Sequence, residues 1–385
     1  MLQDVQIDHL VKGMFVTRIT DHVKPIKLAS PGMIRSGDDI EQMRSNGVLA
    51  VEIDLSRSVH QTPDDVLFQP NEEDIADFQS QMQAAMEVYE QVKERHSIFL
   101  ERIAAQKTID VNLVGELSGQ IVDAVFDSPD AMCVIAQLKQ AEQYILDHSV
   151  NCVILTTVLA KKLKLSRDDI YQYGLGAMIM DIGMARLPLL LTHKFGELND
   201  KEARQMRQHV EWAVELAEQS DCVTELGINL IRQHHERLDG SGYPGGLRGE
   251  QVSLGARLVA VVDTFDALTT SRPFRNGFNN SEAFRIMREE EKETLDQSLV
   301  SLFISHLGSY PTGSMVKLSN NLIGVVFRQI PDHPDRPMVM VIFDTEKKRD
   351  VSPYVINLMR EPDVHIIDAM ENKDGTAGLM RFIRG

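Results

Sequence analysis

His234-His235-Glu236-Arg237-Leu238-Asp239-Gly240-Ser241-Gly242-Tyr243-Pro244 is a helical stretch that ends in two histidines and runs into a glycine-rich turn. Leu230 and Ile231 precede it on an apolar stripe. Positions i and i+4 share a helix face, so His234 and His235 extend that stripe by one turn toward the core. Asp239-Gly240 and Gly242-Tyr243-Pro244-Gly245-Gly246 then supply backbone freedom and a fixed proline φ, as an ordered loop beside a site requires.

The same oddity, a ligand-type residue on an apolar helical face, recurs elsewhere. His148 stands beside Ile145 and Cys152, His209 between Met206 and Ala213, and Asp263 on the face of Val259. Asp181 closes the apolar run Ala177-Met178-Ile179-Met180 just before Gly183. Burying one such group alone costs several kcal/mol, so a set of them on apolar faces asks for a common partner. Taken singly, each histidine is more often a hydrogen-bonded core residue. As a set, neutral imidazoles and carboxylates suit a divalent transition metal, with an aspartate able to bridge two ions that orient and deprotonate a water for attack on phosphorus.

The surrounding pattern is helical from about Val111 to Glu291, with apolar residues at helical spacing in every segment: Ile154, Val158 and Leu159, then Val210, Ala213 and Val214, then Leu258, Val259 and Val262. Upstream, Asn71 to about Ala105 has no Gly or Pro and spaces Phe78, Met82, Ala85 and Tyr89 as one long helix, with a fully solvated helix as the plainer alternative. Short apolar stretches broken by Pro25, Pro31 and Ser36-Gly37 make Gln6 to about Ser58 a small β-containing unit. Met315-Val-Lys-Leu318, Ile323-Gly-Val-Val-Phe327 and Met338-Val-Met-Val-Ile-Phe343 read as strands closing the chain. The expected fold is therefore mainly α, with boundaries at 1–70, 71–110 (connecting helix), 111–311 (helical domain) and 312–385 (β-rich extension).

A chain of 385 residues with a formal charge of -17 can bury a sizeable core but argues against a partner that is a nucleic-acid polymer or an acidic membrane. Cys133, Cys152 and Cys222 have neither paired nor C-x-x-C spacing, so neither a disulfide framework nor a thiolate metal site is expected, and a cytoplasmic setting fits. The N-terminus lacks a charged region followed by an apolar one, and the apolar window from Tyr171 to Leu191 is interrupted by Asp181 and Arg186. Neither a signal peptide nor a membrane span is expected.

His148-Ser149, Met180-Asp181-Ile182-Gly183, His209, the run from His234 to Pro244, Asp263-Thr-Phe-Asp266-Ala-Leu-Thr269 and Arg272-Pro-Phe-Arg275 fall in the order of the HD-GYP domain, which this chain resembles. The segment before it resembles the domain of unknown function often found ahead of such domains, and Tyr310 to Phe343 resembles their usual extension. The resemblance implies an HD-type helical bundle hydrolysing cyclic di-GMP to a linear dinucleotide or GMP. It implies His148, Asp181, His209, His234, His235 and Asp263 as metal ligands, with Asp181 bridging and catalytic, and Arg272, Arg275 and Tyr243 as substrate-binding residues. The expected cofactor is one or two divalent ions, Fe or Mn ahead of Zn, Ni or Co.

Two positions depart from the family. Met180 stands where the dyad has histidine and Met184 where it has lysine. A thioether is a poor ligand for hard divalent ions and a methionine offers phosphate no charge, so weak metal occupancy and weak or absent hydrolysis are expected. The alternatives are a fully active phosphodiesterase and a scaffold that binds diguanylate cyclase domains through the Gly-Tyr-Pro loop. Homodimerisation is a further expectation, with no interface assigned to it.

Overall fold

The structure, a computed structural model, describes the chain except residues 1, 8–9, 11–13, 24–30, 35–36, 55–71, 106–110, 138–143, 193, 195, 271–276, 331–332, 371–379, 381–382 and 384–385. The expected architecture is present: a small β-containing unit, a helical bundle and a β-rich C-terminal region. The first sheet holds β1 (Leu2–Gln6), β2 (Phe15–His22), β3 (Gly32–Met33) and β4 (Val48–Asp54) in the antiparallel order β1-β4-β2-β3, with α1 (Gly37–Ser45) between β3 and β4. Val5, Val16, Val51 and Ile53 are buried there, the alternation of a sheet with one covered face.

Helix α2 (Glu72–Ala104) is the spine of the molecule. Its buried residues Phe78, Met82, Ala85, Tyr89, Val92, His96, Phe99 and Ile103 recur at alternating steps of four and three, which draws one continuous seam along a helix roughly 50 Å long at about 1.5 Å per residue. The seam is not left to solvent. Phe78 packs on Phe327 with ring centroids 4.4 Å apart, and the Gln83 amide donates to the Ile383 carbonyl at 2.7 Å, so α2 reaches the C-terminal region.

The bundle comprises α3 (Val111–Asp127), α4 (Pro129–Gln137), α5 (Tyr144–Lys162), α6 (Arg167–Ile179), α7 (Leu189–Thr192), α8 (Asp200–Glu218), α9 (Glu225–Gln233), α10 (Leu254–Thr269), α11 (Asn280–Glu289) and α12 (Gln297–Leu307). Ser166, Asn199, Ser253, Asn279 and Asp296 start α6, α8, α10, α11 and α12 by accepting backbone N–H bonds, which fixes where each helix begins. Helices α5, α6, α9 and α10 pack around one core holding Leu155, Ile179, Leu230, Val259 and Phe265. The C-terminal sheet runs β8-β7-β6-β5-β9, all antiparallel, with β5 (Met315–Leu318), β6 (Leu322–Arg328) and β7 (Met338–Asp344) joined by β8 (Arg349–Asn357) and β9 (Ile366–Ala369). No described helix is long and apolar enough to cross a membrane.

Candidate metal centre

Asp181 stands where α6 gives way to a 3₁₀ turn, Ile182–Arg186. It precedes that turn but makes no side-chain capping bond, so its carboxylate is available to the interior. The turn lies directly on α8. A Cβ on Gly183 would stand 2.2 Å from the His209 carbonyl oxygen, so only glycine permits this approach. The result is an Asp181 Oδ1 that is 3.5 Å from His209 Nε2 and 3.8 Å from His234 Nε2.

Both imidazoles are held by their other nitrogen. His209 Nδ1 lies 2.7 Å from the Met206 carbonyl oxygen and His234 Nδ1 lies 2.7 Å from that of Ile231. A carbonyl only accepts, so each Nδ1 carries a proton, and in the neutral ring Nε2 is the nitrogen with the lone pair. Those two Nε2 atoms are 3.3 Å apart beside the Asp181 carboxylate. Three electron-rich atoms facing one another in a buried site repel unless a cation sits among them, so the donor set fits a divalent ion. His235 completes the group; its donor lies within 4.8 Å of the other three. Burial, with the neighbouring His234, holds the His235 pKa well below the ordinary histidine value and leaves that ring neutral too.

A second group lies on the other side of Asp181. His148 Nε2, on α5, is 3.3 Å from Asp181 Oδ2 and 3.4 Å from Asp263 Oδ1 on α10. Burial opposes charging of His148, but Cys152 and the carboxylates of Asp181, Asp263 and Asp266 outweigh it and hold its pKa well above the ordinary value. Cys152, one turn along α5, places its Sγ 3.7 Å from that same Nε2, and His148, Cys152 and Asp263 have donors mutually within 4.8 Å. Spacing relative to other cysteines, the ground on which no thiolate metal site was expected, says nothing about a thiol one helical turn from a histidine.

Behind His148 runs a buried polar chain. Asp266 Oδ2 is 2.8 Å from His148 Nδ1, Asn151 donates to Asp266 Oδ1 at 3.2 Å, and the Tyr89 hydroxyl of α2 donates to Asn151 Oδ1 at 3.3 Å and Asp147 Oδ1 at 3.1 Å. Lys93 of α2 pairs with the same Asp147 oxygen at 2.9 Å, with both side chains buried. Asp266 thus braces His148 and turns Nε2 toward the two carboxylates.

The loop after His235 is fixed by Glu236, which is buried. Its Oε1 accepts from Gly245 N at 2.6 Å and its Oε2 from Leu247 N at 2.9 Å. Gly242 lies so close to the chain at 235–237 that a Cβ would meet Arg237 N at 2.4 Å. Tyr243 is thereby laid against His235, ring centroids 4.6 Å apart, and the Arg207 guanidinium lies over the outer face of Tyr243 at 4.7 Å. Burial, then the nearby carboxylates of Asp181 and Asp263, push the Tyr243 hydroxyl pKa up, so it is a neutral donor.

The structure therefore brings His148, Asp181, His209, His234, His235 and Asp263 to one place, with Tyr243 at its rim. Arg272 and Arg275 lie outside the described residues. Met180 is fully buried in the apolar core and Met184 is half-buried in the 3₁₀ turn. Sequence reasoning missed Cys152, Glu236 and Arg207. For Cys152 the i, i+4 spacing from His148 was the available signal; Glu236 and Arg207 act across turns that no periodicity reveals.

Residues 133–299 match the family described as HD domain, residues 2–114 the domain of unknown function DUF3391, and residues 315–377 the KOW domain associated with HD domain. A cyclic di-GMP phosphodiesterase of Pseudomonas aeruginosa is 30% identical over 376 residues, covering 94% of this chain and 90% of that protein. A 3'3'-cGAMP-specific phosphodiesterase of Vibrio cholerae is 34% identical over 163 residues, 42% of this chain and 37% of that protein. A cyclic di-GMP phosphodiesterase response regulator of Xanthomonas campestris is 32% identical over 148 residues, 38% of this chain and 39% of that protein.

Proposed function

Since the chain belongs to the HD domain family with cyclic di-GMP phosphodiesterase relatives, we propose that it is a cyclic di-GMP signalling protein that binds the nucleotide over a metal centre and hydrolyses it weakly or not at all. The observation that carries this reading is the convergence of the Nε2 atoms of His209 and His234 on Asp181 Oδ1. Asp181, His209, His234 and His235 would hold one ion, and His148 and Asp263, with the second oxygen of Asp181, would hold another; Fe or Mn is favoured over Zn, Ni or Co. The chemistry bound divalent ions supply is Lewis-acid polarisation of a phosphate diester and activation of water.

The chain's own residues position the ligand. Tyr243 offers a neutral hydroxyl beside His235, and Arg207 offers a fixed guanidinium at the mouth, where an otherwise acidic protein needs local positive charge. Arg272 and Arg275 join them in this reading. Met180 and Met184 supply neither a hard ligand nor a cation, which supports slow turnover. Residues 111–311 form the catalytic-type domain, 71–110 its connecting helix, 1–70 the sensing unit and 312–385 the extension, in a cytoplasmic setting that suits three free thiols. The Ser241–Pro244 tip, exposed at Ser241 and Pro244, is where a diguanylate cyclase domain would dock, and homodimerisation is part of the same proposal.

Calorimetric titration of cyclic di-GMP into metal-loaded protein is expected to show binding that Arg207→Ala weakens about tenfold, the loss of ~1.4 kcal/mol. Chromatography with Mn or Fe present is expected to show little linear dinucleotide from the wild type and more from Met180→His with Met184→Lys. Rapid turnover by the wild type, abolished by Asp181→Ala, overturns the weak-hydrolysis reading. Absence of both metal and nucleotide binding overturns the whole assignment.

A further inference from the structure

We propose that Arg207 reads the base of the bound cyclic dinucleotide, its guanidinium donating to the O6 and N7 acceptors of one guanine. This rests on the nucleotide-binding reading above and deepens it by naming what selects guanine. Arg207 projects from α8 two residues before His209. The carbonyl of Met206, adjacent to it in the chain, is engaged by His209 Nδ1 at 2.7 Å, so the backbone at Arg207 is fixed relative to the centre. Its guanidinium lies over the outer face of Tyr243 at 4.7 Å, and Tyr243 itself is laid on His235 with ring centroids 4.6 Å apart. Helix, phenol and imidazole together hold this cation in place at the rim, so less rotamer freedom is lost when it binds.

The donors of this guanidinium are uncommitted. Among the described residues Arg207 makes no hydrogen bond and no ion pair, whereas on the same helix Glu202 goes to Lys194 and Glu215 to Arg186. A guanidinium carries N–H donors in a rigid fork and no acceptor. The Tyr243 ring stands between this fork and His235, so a phosphate diester held at the His235 position lies on one side of the ring and Arg207 on the other, where the sugar and base attached to that phosphate extend. Both faces of Tyr243 are already covered, so the phenol is no stacking platform, and a purine meets this corner of the site by its edge. Guanine offers two acceptors on that edge, O6 and N7. Adenine offers N7 beside an N6 amino donor, which a guanidinium cannot satisfy. A bare positive charge would attract either nucleotide alike; the fork discriminates between them.

The test titrates cyclic di-GMP and cyclic di-AMP into the full, metal-loaded chain by calorimetry. The wild type is expected to prefer cyclic di-GMP by about tenfold or more. Arg207→Ala is expected to weaken cyclic di-GMP about tenfold and to leave cyclic di-AMP within about twofold. Arg207→Gln, whose amide pairs with N6 and N7 of adenine, is expected to bring the two affinities together or to invert them. Cyclic di-GMP built with 7-deazaguanine, which lacks only N7, is expected to bind the wild type several-fold more weakly than the parent nucleotide. A wild type without preference, equal loss of both nucleotides in Arg207→Ala, or unchanged affinity for the 7-deaza ligand overturns the base-reading assignment and leaves nucleotide binding standing. No binding of either nucleotide by folded, metal-loaded wild type overturns both. The wild-type comparisons decide even if a variant fails to fold.

Discussion

Gly183 and His209 are in backbone contact: a Cβ on Gly183 would lie 2.2 Å from the His209 carbonyl oxygen and 2.8 Å from its Cα. This is backbone against backbone, with no flexible side chain to give way. Gly183→Ala must therefore lift the 3₁₀ turn off α8 and carry Asp181 away from His209. The expected outcome is a loss of about 1–3 kcal/mol by thermal or denaturant unfolding, with weakened metal binding at the Asp181, His209, His234 and His235 group. An unchanged melting temperature and unchanged metal content would contradict the contact.

Glu236 carries a buried carboxylate that receives the backbone N–H groups of Gly245 and Leu247. Glu236→Ala leaves both donors without their charged acceptor, at about 1.5–3 kcal/mol for each hydrogen bond to a charged group. Hydrogen exchange across 241–248 is expected to accelerate, and cyclic dinucleotide affinity to fall as Tyr243 loses its seat on His235. Exchange rates matching the wild type would show that the loop is held by something else.

Asp266 braces the centre through His148. Asp266→Asn keeps the shape but removes the charge that fixes the His148 tautomer, and loss of such a brace costs roughly 10–100-fold in metal affinity. Competition against a metal-chelating dye is the measurement, and the loss is expected for one of the two ions. Equal loss at both would argue for a general structural defect instead.

How much of this was legible in the sequence depends on whether a residue acts along its own helix or across a gap. His148, His209 and Asp263 betrayed themselves because each interrupts an apolar stripe whose period is set by one helix. Strands β5, β6 and β7 were equally plain as β-rich runs, whereas β8, Arg349–Asn357, is charged and mostly exposed at its start and gave little signal. α2 looked polar enough to stand in solvent, and its seam becomes meaningful only once α3, α4 and α5 pack against it. Arg207 and the Asp266–Asn151–Tyr89 chain are contacts between segments distant in sequence, and Glu236 closes the loop that follows it; a single sequence carries no record of such pairings. Cys152 was passed over for a different reason: thiols were weighed against one another, when the partner was an imidazole.

His96, in the α2 seam, is fully buried and neither ring nitrogen has a hydrogen-bond partner among the described residues. Burial pushes its pKa down from an ordinary 6.5 to about 4. The folded state therefore refuses a proton that the unfolded chain accepts below pH 6.5, so stability is full above that pH and falls as the pH drops toward 4. At ~1.4 kcal/mol per unit the loss from His96 amounts to roughly 3 kcal/mol. His306, whose pKa burial and then Lys162 and Lys161 hold down to about 4, adds to the slope in the same window. Denaturant unfolding between pH 7.5 and 5 is expected to show a shallower slope for His96→Leu than for the wild type; parallel curves would remove the claim.

The Lys93–Asp147 pair has a mechanical side. Breaking a buried ion pair by removing one partner costs about 3–5 kcal/mol, and this one fastens α2 to α5 one residue before His148. Helix α2 cannot slide or roll against α5 without giving up that pair and the Tyr89 bonds beside it. The stretch of α2 that carries Tyr89 and Lys93 is thus tied through buried polar contacts to the bracket that holds the imidazole. A load that shifts α2 at this point therefore reaches the His148 ring through Asp147, Asn151 and Asp266.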